Sequence, residues 1–235
     1  MIVTYLDFHL FFITPPFLAL LFVARTRLES RRRIEWAGVG LIVLIALAYT
    51  APWDNYLIAR GVWEYGPGSV TRTIWLAPVE EYLFIVLQPI VAGLWLYSLR
   101  PVTATVPITN RDRAIGGFAG VLVGAVGAAL LLESATFYMG AILAWAGPVL
   151  ALQWGVGWPY LWRVRRRLAV GTAVPTAYFA AADRIAIDAG IWVLSDRYTT
   201  GLTVAGLPIE EGAFFLITNL FVIQGLLLYA WILRR

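Results

Sequence analysis

The chain contains no cysteine, no lysine and a single histidine. Without cysteine there is no disulfide framework, iron–sulfur cluster or thiol nucleophile. With His9 alone, read as a helix-end residue, a histidine-built metal or haem site is not expected. Charge is scarce as well: 14% of the 235 residues are charged and 60% are hydrophobic. A soluble domain of this length would carry more surface charge.

What is present is apolar sequence in runs long enough to cross a bilayer, which takes about 20 residues per helix. The expected fold class is therefore all-α integral membrane. Seven transmembrane helices are read at 3–24, 34–50, 78–99, 114–132, 137–156, 175–194 and 208–233. Pro15-Pro16 predicts a kink in the first, and Ala51-Pro52-Trp53-Asp54 ends or bends the second. The fourth holds Gly116, Gly117, Gly120, Gly124 and Gly127, so it is expected inside the bundle, where small residues permit close approach. The N-terminus lacks the basic region and cleavage site of a signal peptide, so the first run is expected to be retained.

All 18 basic residues are arginine, clustered at Arg25, Arg27, Arg31, Arg32, Arg33 and again at Arg163, Arg165, Arg166, Arg167. Between apolar spans such clusters mark cytoplasmic loops rather than a nucleic-acid surface, so membrane lipids and not nucleic acid are the expected surroundings. Fourteen arginines fall on one side and Arg60, Arg72 and Arg197 on the other. The expectation is a multi-pass protein of the cell membrane, N-terminus outside and C-terminus cytoplasmic.

One stretch occurs twice. Pro78-Val79-Glu80-Glu81 opens the third apolar helix, and Pro208-Ile209-Glu210-Glu211 opens the last. Asp54, Gly61 and Trp63 reappear 129 positions later as Asp183, Gly190 and Trp192, and Phe84 reappears 130 later as Phe214. This spacing predicts a parallel 3+1+3 internal repeat: residues 1–100 as one three-helix unit, 101–135 as a linker helix and 136–235 as the second unit.

Carboxylates at the mouth of an apolar helix are costly, so a duplicated pair calls for chemistry. Proline suits the first helical position, which places each Glu pair in the first turn. Helical spacing puts Glu81, Phe84 and Gln88 on one stripe and Glu211, Phe214 and Thr218 on another, with Glu80 and Glu210 about 100° away. Carboxyl groups so placed are equipped for acid–base work. Many of the eleven tryptophans, such as Trp36, Trp158 and Trp231, read as interface-belt residues. Trp63 and Trp192 differ because they recur in the repeat, and aromatic faces stabilise cations.

The duplicated Pro-x-Glu-Glu, preceded by Pro-Trp-Asp-Asn and Gly-x-Trp, resembles the non-flavin membrane lycopene cyclases. The resemblance covers nearly the whole chain and leaves nothing for a fused phytoene synthase domain. It implies lycopene as substrate, no cofactor, no metal and a redox-neutral isomerisation. An acid protonates the terminal double bond of a ψ end group, the polyene closes on the tertiary cation, and proton loss leaves a β-ionone ring, giving γ-carotene and then β-carotene. It also places the proton donor at the first Glu of each motif, Glu80 and Glu210, whereas helical spacing favours Glu81 and Glu211 as facing inward. Asp54 and Asn55 match the first-half motif; the second half keeps Asp183 but has Arg184 in place of Asn55. Homo-oligomers or association with other carotenoid enzymes fit the same resemblance. A cyclase for a C50 or ε-ring carotenoid and a seven-helix small-solute transporter remain alternatives. A retinal protein does not, because lysine is absent.

Overall fold

The computed structural model describes residues 4–27, 32–102 and 104–234. Val3, Arg31 and Arg235, used in the sequence reading, lie outside the described residues. The first span begins with α1 (Tyr5–Phe8), passes through a π-helical turn (His9–Ile13) and continues as α2 (Thr14–Arg27). Thr4 and Asp7 cap it reciprocally: the Asp7 amide donates to Thr4 Oγ1 at 3.1 Å and the Thr4 amide to Asp7 Oδ2 at 2.9 Å. The distortion expected at Pro15-Pro16 is taken up by the π turn just before it, a common device where the backbone ladder is interrupted. His9 opens that turn and is buried, with Nδ1 2.9 Å from the Tyr5 carbonyl, so it is not a helix-end residue.

The second helix corrects the sequence reading. α3 spans Arg32–Ala59 and runs straight through Pro52, so Asp54 and Asn55 lie on a helix and not in a connection. Proline removes one backbone bond, but contacts with α4 and α8 hold the helix together, and it stops only near Gly61, at φ +71°. A similar stop ends the sixth helix before the expected 194. α7 spans Arg165–Asp188, starting ten residues before the sequence reading, and ends near Gly190 at φ +69°. Trp192 is therefore on a strand, not a helix.

Six short strands accompany the helices among the described residues. β1 (Trp63–Tyr65) pairs antiparallel with β4 (Trp192–Leu194), with Glu64 opposite Val193. β2 (Thr73–Ile74) and β3 (Ala77–Pro78) form a hairpin leading into α4 (Val79–Ser98); β5 (Thr203–Val204) and β6 (Leu207–Pro208) form another leading into α8 (Ile209–Ile232). Between them lie α5 (Asn110–Leu130) and α6 (Phe137–Arg163), the latter broken at Gly157, one residue past the expected end of the fifth apolar run.

Among the described residues, six helices are long and apolar enough to cross a membrane, which makes this an integral membrane protein by composition and length. α7 is a seventh long helix that falls short of that measure, because it carries Arg165–Arg167, Asp183, Arg184 and Asp188. α5 is not inside the bundle. Its glycine stripe lies on α6, and Phe118, Val121 and Leu122 are exposed on its far face. Trp231 is not an interface residue either: it is buried and stacked on Tyr160 at 4.8 Å. α4 and α8 run through the middle, in contact with each other and with the helices around them.

Candidate active site

Each hairpin delivers its chain to a helix through a proline in extended backbone, Pro78 at φ −68°, ψ 156° and Pro208 at φ −54°, ψ 137°. Both prolines occupy the cap position, one residue earlier than expected, and the following glutamates still fall in the first turn. Glu80 and Glu210 are buried and turn back to the preceding loop. Glu80 Oε1 accepts from the Thr71 amide at 3.0 Å and its hydroxyl at 2.7 Å. Glu210 Oε1 accepts from the Thr200 amide at 2.8 Å and its hydroxyl at 2.7 Å. These two carboxyls anchor loops, and neither lines the cavity beside them.

One residue on, about 100° around the helix, Glu81 and Glu211 face that cavity. The cavity, of about 50 Å³, brings Glu81, Glu211, Asp54 and Asp183 to one space. Asp54 comes from the last turns of α3 and Asp183 from those of α7. Glu81 Oε2 accepts from Tyr5 Oη and Tyr65 Oη, each at 3.0 Å. Trp63 Nε1 donates to the Tyr65 oxygen at 3.2 Å, and Trp192 Nε1 to Asp183 Oδ1 at 3.1 Å. Glu211 has one phenol beside it, Tyr138. Burial, reinforced by the charge of Glu81, pushes the Tyr65 pKa well above its ordinary value, which keeps this phenol a donor.

Apart from Leu194, the rest of the wall is aromatic. The β1–β4 pair contributes Trp63, Tyr65 and Trp192, while Phe84, Phe214 and Phe215 come from α4 and α8. Trp53 lies between Trp145, at 4.8 Å, and Phe214, at 6.0 Å and nearly parallel. Ring faces around a poorly hydrated space lower the energy of a passing cation.

A second space of about 170 Å³ adjoins the first, sharing Asp54, Glu81, Phe84 and Phe214 with it. This groove runs between α3 and α6, with α4 and α8 behind. From Ile42 to Asp54 on α3 it extends about 18 Å at ~1.5 Å per residue. Ile45 and Leu152 on its rim are 50% and 68% exposed, so it opens sideways toward lipid. Gln88 and Thr218 line it; Gln88 Nε2 also donates to Asn219 Oδ1 at 2.7 Å.

Most of the expected residues thus meet at these two spaces: Glu81, Glu211, Asp54, Asp183, Trp63, Trp192, Phe84 and Phe214 at the cavity, Gln88 and Thr218 in the groove. Asn55 does not. Its side chain holds the β2–β3 turn, accepting from the Leu76 and Ala77 amides at 2.9 and 3.0 Å. Arg184, at the matching place in the other half, lies against Gly206 of the β5–β6 turn and ion-pairs with Asp188. Both are turn supports built from different chemistry. Sequence reasoning missed Trp53, Tyr5, Tyr65, Tyr138 and Phe215. Trp53 was visible inside the Pro-Trp-Asp-Asn motif, and Tyr65 alternates with Trp63 as a strand requires. Nothing in the sequence pattern singled out Tyr5 or Tyr138.

Comparison with known proteins gives this arrangement a family. The chain is 56% identical to the lycopene beta-cyclase of Halobacterium salinarum over 237 aligned residues, covering 100% of this chain and 99% of the other. The chain belongs to the lycopene beta-cyclase family. Lycopene cyclase relatives also include the bifunctional lycopene cyclase/phytoene synthases of Phycomyces blakesleeanus and Aspergillus oryzae, each 31% identical. Those matches cover 92% and 83% of this chain but 37% and 34% of the fungal proteins. No protein-family model matches the chain, and no solved structure does.

Proposed function

We propose that the chain is a membrane lycopene beta-cyclase that closes the ψ end groups of lycopene to β-ionone rings without redox change. The observation that carries this reading is one cavity with four carboxyl groups, walled by aromatics and continuous with an apolar groove open to the bilayer. A lipid-soluble polyene reaches such a cavity from the membrane, its tail in the groove and its end group among the carboxyls. One carboxyl protonates the terminal double bond, the rings stabilise the cation, and a carboxylate removes the final proton. Glu81 and Glu211, with Asp54 and Asp183 beside them, are the groups assigned to this proton traffic. Glu80 and Glu210 hold the loops that position them.

The same reading includes a parallel repeat of two three-helix units, 1–100 and 136–235, joined by the helix in 101–135, seven membrane helices in all. Matched contacts support it: Thr71–Glu80 recurs as Thr200–Glu210, and the two hairpins sit 130 positions apart. Glu64 and Val193, opposite each other in the β1–β4 pair, are themselves 129 positions apart, as a local two-fold between the units requires. The arginine distribution supports a cytoplasmic C-terminus.

Expression in a lycopene-accumulating host, followed by pigment chromatography, tests the activity. Lycopene is expected to give way to γ-carotene and β-carotene. Unchanged lycopene beside well-inserted protein would refute the proposal.

A further inference from the structure

Resting on the cyclase reading, the geometry points to a division of labour between the two inward glutamates: Glu211 is the acid that starts the reaction and Glu81 is the base that ends it. Three observations carry this. The first is position. The groove meets the cavity at Asp54 and Glu81, whereas Glu211 and Asp183 line the cavity alone. An end group arriving through the groove passes Glu81 and brings its terminal carbons to the Glu211 side.

The second is that the opposite flank is filled. Beside α7, Phe8 packs on Phe12 at 5.4 Å, and Phe84, Phe179 and Phe215 pack on one another with centroids between 5.8 and 6.2 Å, all within one buried cluster. Tyr178 Oη donates to the Phe12 carbonyl at 2.8 Å and ties α7 to the π turn. A polyene thus has the α3–α6 side as its path, and the four carboxyls are met in a fixed order.

The third is solvation. Glu81 Oε2 accepts two phenol hydrogen bonds, the arrangement that suits a carboxylate, while Glu211 has Tyr138 alone beside it.

The chemistry matches that order. The Glu211 proton adds to C2 of the end group, using the C1=C2 π pair and leaving a tertiary cation at C1. The C5=C6 pair then forms the C1–C6 bond, which moves the cation to C5. Glu81 takes the proton from C6, and the C6–H electrons restore C5=C6 as the β double bond. C6 lies further along the chain than C2, on the tail side, where Glu81 stands. Each cycle ends with Glu81 protonated and Glu211 ionised, and transfer between them restores the start. No oxidant or reductant is consumed. Tyr5 and Tyr65 are positioning residues, keeping Glu81 in its accepting form.

Purified protein in liposomes loaded with lycopene tests the assignment, with ring type read by chromatography and mass spectrometry. Glu211→Gln is expected to form no cyclic product of any kind. Glu81→Gln is expected to form less ring product, part of it with the double bond displaced to the ε or γ position, because another C–H near the C5 cation is lost instead. β-Carotene from Glu211→Gln at the wild-type rate, or the reverse pair of phenotypes, overturns the assignment. If both variants are inert, Tyr65→Phe decides. With Glu81 as base it shifts the acid-side limb of the pH–rate profile; a shift confined to the alkaline limb overturns the proposal. Wild-type protein that leaves lycopene unchanged would instead refute the cyclase reading beneath it.

Discussion

Ala46→Trp is expected to abolish most of the activity without unfolding the protein. Ala46 lines the groove between α3 and α6 opposite Trp145 and Leu152, so an indole there occupies the space assigned to the polyene tail. The carboxyls are untouched, but the end group no longer reaches them in register. Displacement by as little as ~1 Å costs on the order of 100-fold in rate, and a filled groove should cost at least that in kcat/KM for lycopene. Because the groove is open space, the indole fits there without displacing packed side chains, so thermal stability in detergent should stay near wild type. Ala46→Ser is the control and should behave as wild type. A tryptophan variant that cyclises lycopene at the normal rate would show that the substrate uses another path.

Gly120→Val should damage the fold rather than the chemistry. A Cβ at Gly120 would overlap the Ala151 backbone on α6, and backbone cannot swing aside as a side chain does. Membrane helices have little hydrophobic drive to associate with each other, so this close approach is what joins α5 to α6. Overpacking typically costs about 1–3 kcal/mol, and collision with backbone belongs at the upper end. Thermal unfolding in detergent should report the loss. Gly117→Ala is the contrast: its nearest neighbour is the Ala151 carbonyl oxygen at 3.9 Å, so it should be neutral. Equal stability of the two variants would contradict this account of the helix pair.

Much of this was legible in the sequence, for physical reasons. Apolar runs of bilayer length have few alternatives to helices, and the duplicated Pro-x-Glu-Glu marked both helix starts that build the cavity. Spacing alone put Glu81, Phe84 and Gln88 on one stripe, and all three line the two spaces. Other features depend on tertiary contact. Pro52 reads locally as a helix end, yet contacts with neighbouring helices carry α3 on to Ala59 and place Asp54 at the cavity. Trp192 reads as the end of an apolar run, but Gly190 and pairing with β1 turn it into a strand residue. A glycine-rich helix looks the same from its sequence whether it is central or peripheral, and among the described residues α5 packs chiefly on α6. Tyr5 and Tyr138 reach their glutamates across the fold, which no local pattern encodes.

The sharpest choice lies within each Glu pair. Family resemblance favoured Glu80 and Glu210; we propose instead that these two, bonded to Thr71 and Thr200, hold loops, and that Glu81 and Glu211, which line the cavity, carry the chemistry. A glutamine at 80 or 210 keeps an oxygen that accepts from the same threonine, so the loop contact survives the exchange. The decisive measurement is pigment composition in a lycopene-accumulating host for two double variants. Glu81→Gln/Glu211→Gln should leave lycopene as the sole pigment, a loss within the roughly 10²–10⁴-fold or more attributed to acid–base groups, while Glu80→Gln/Glu210→Gln should still form β-carotene. The opposite pattern, β-carotene from the first pair and none from the second, would contradict the account.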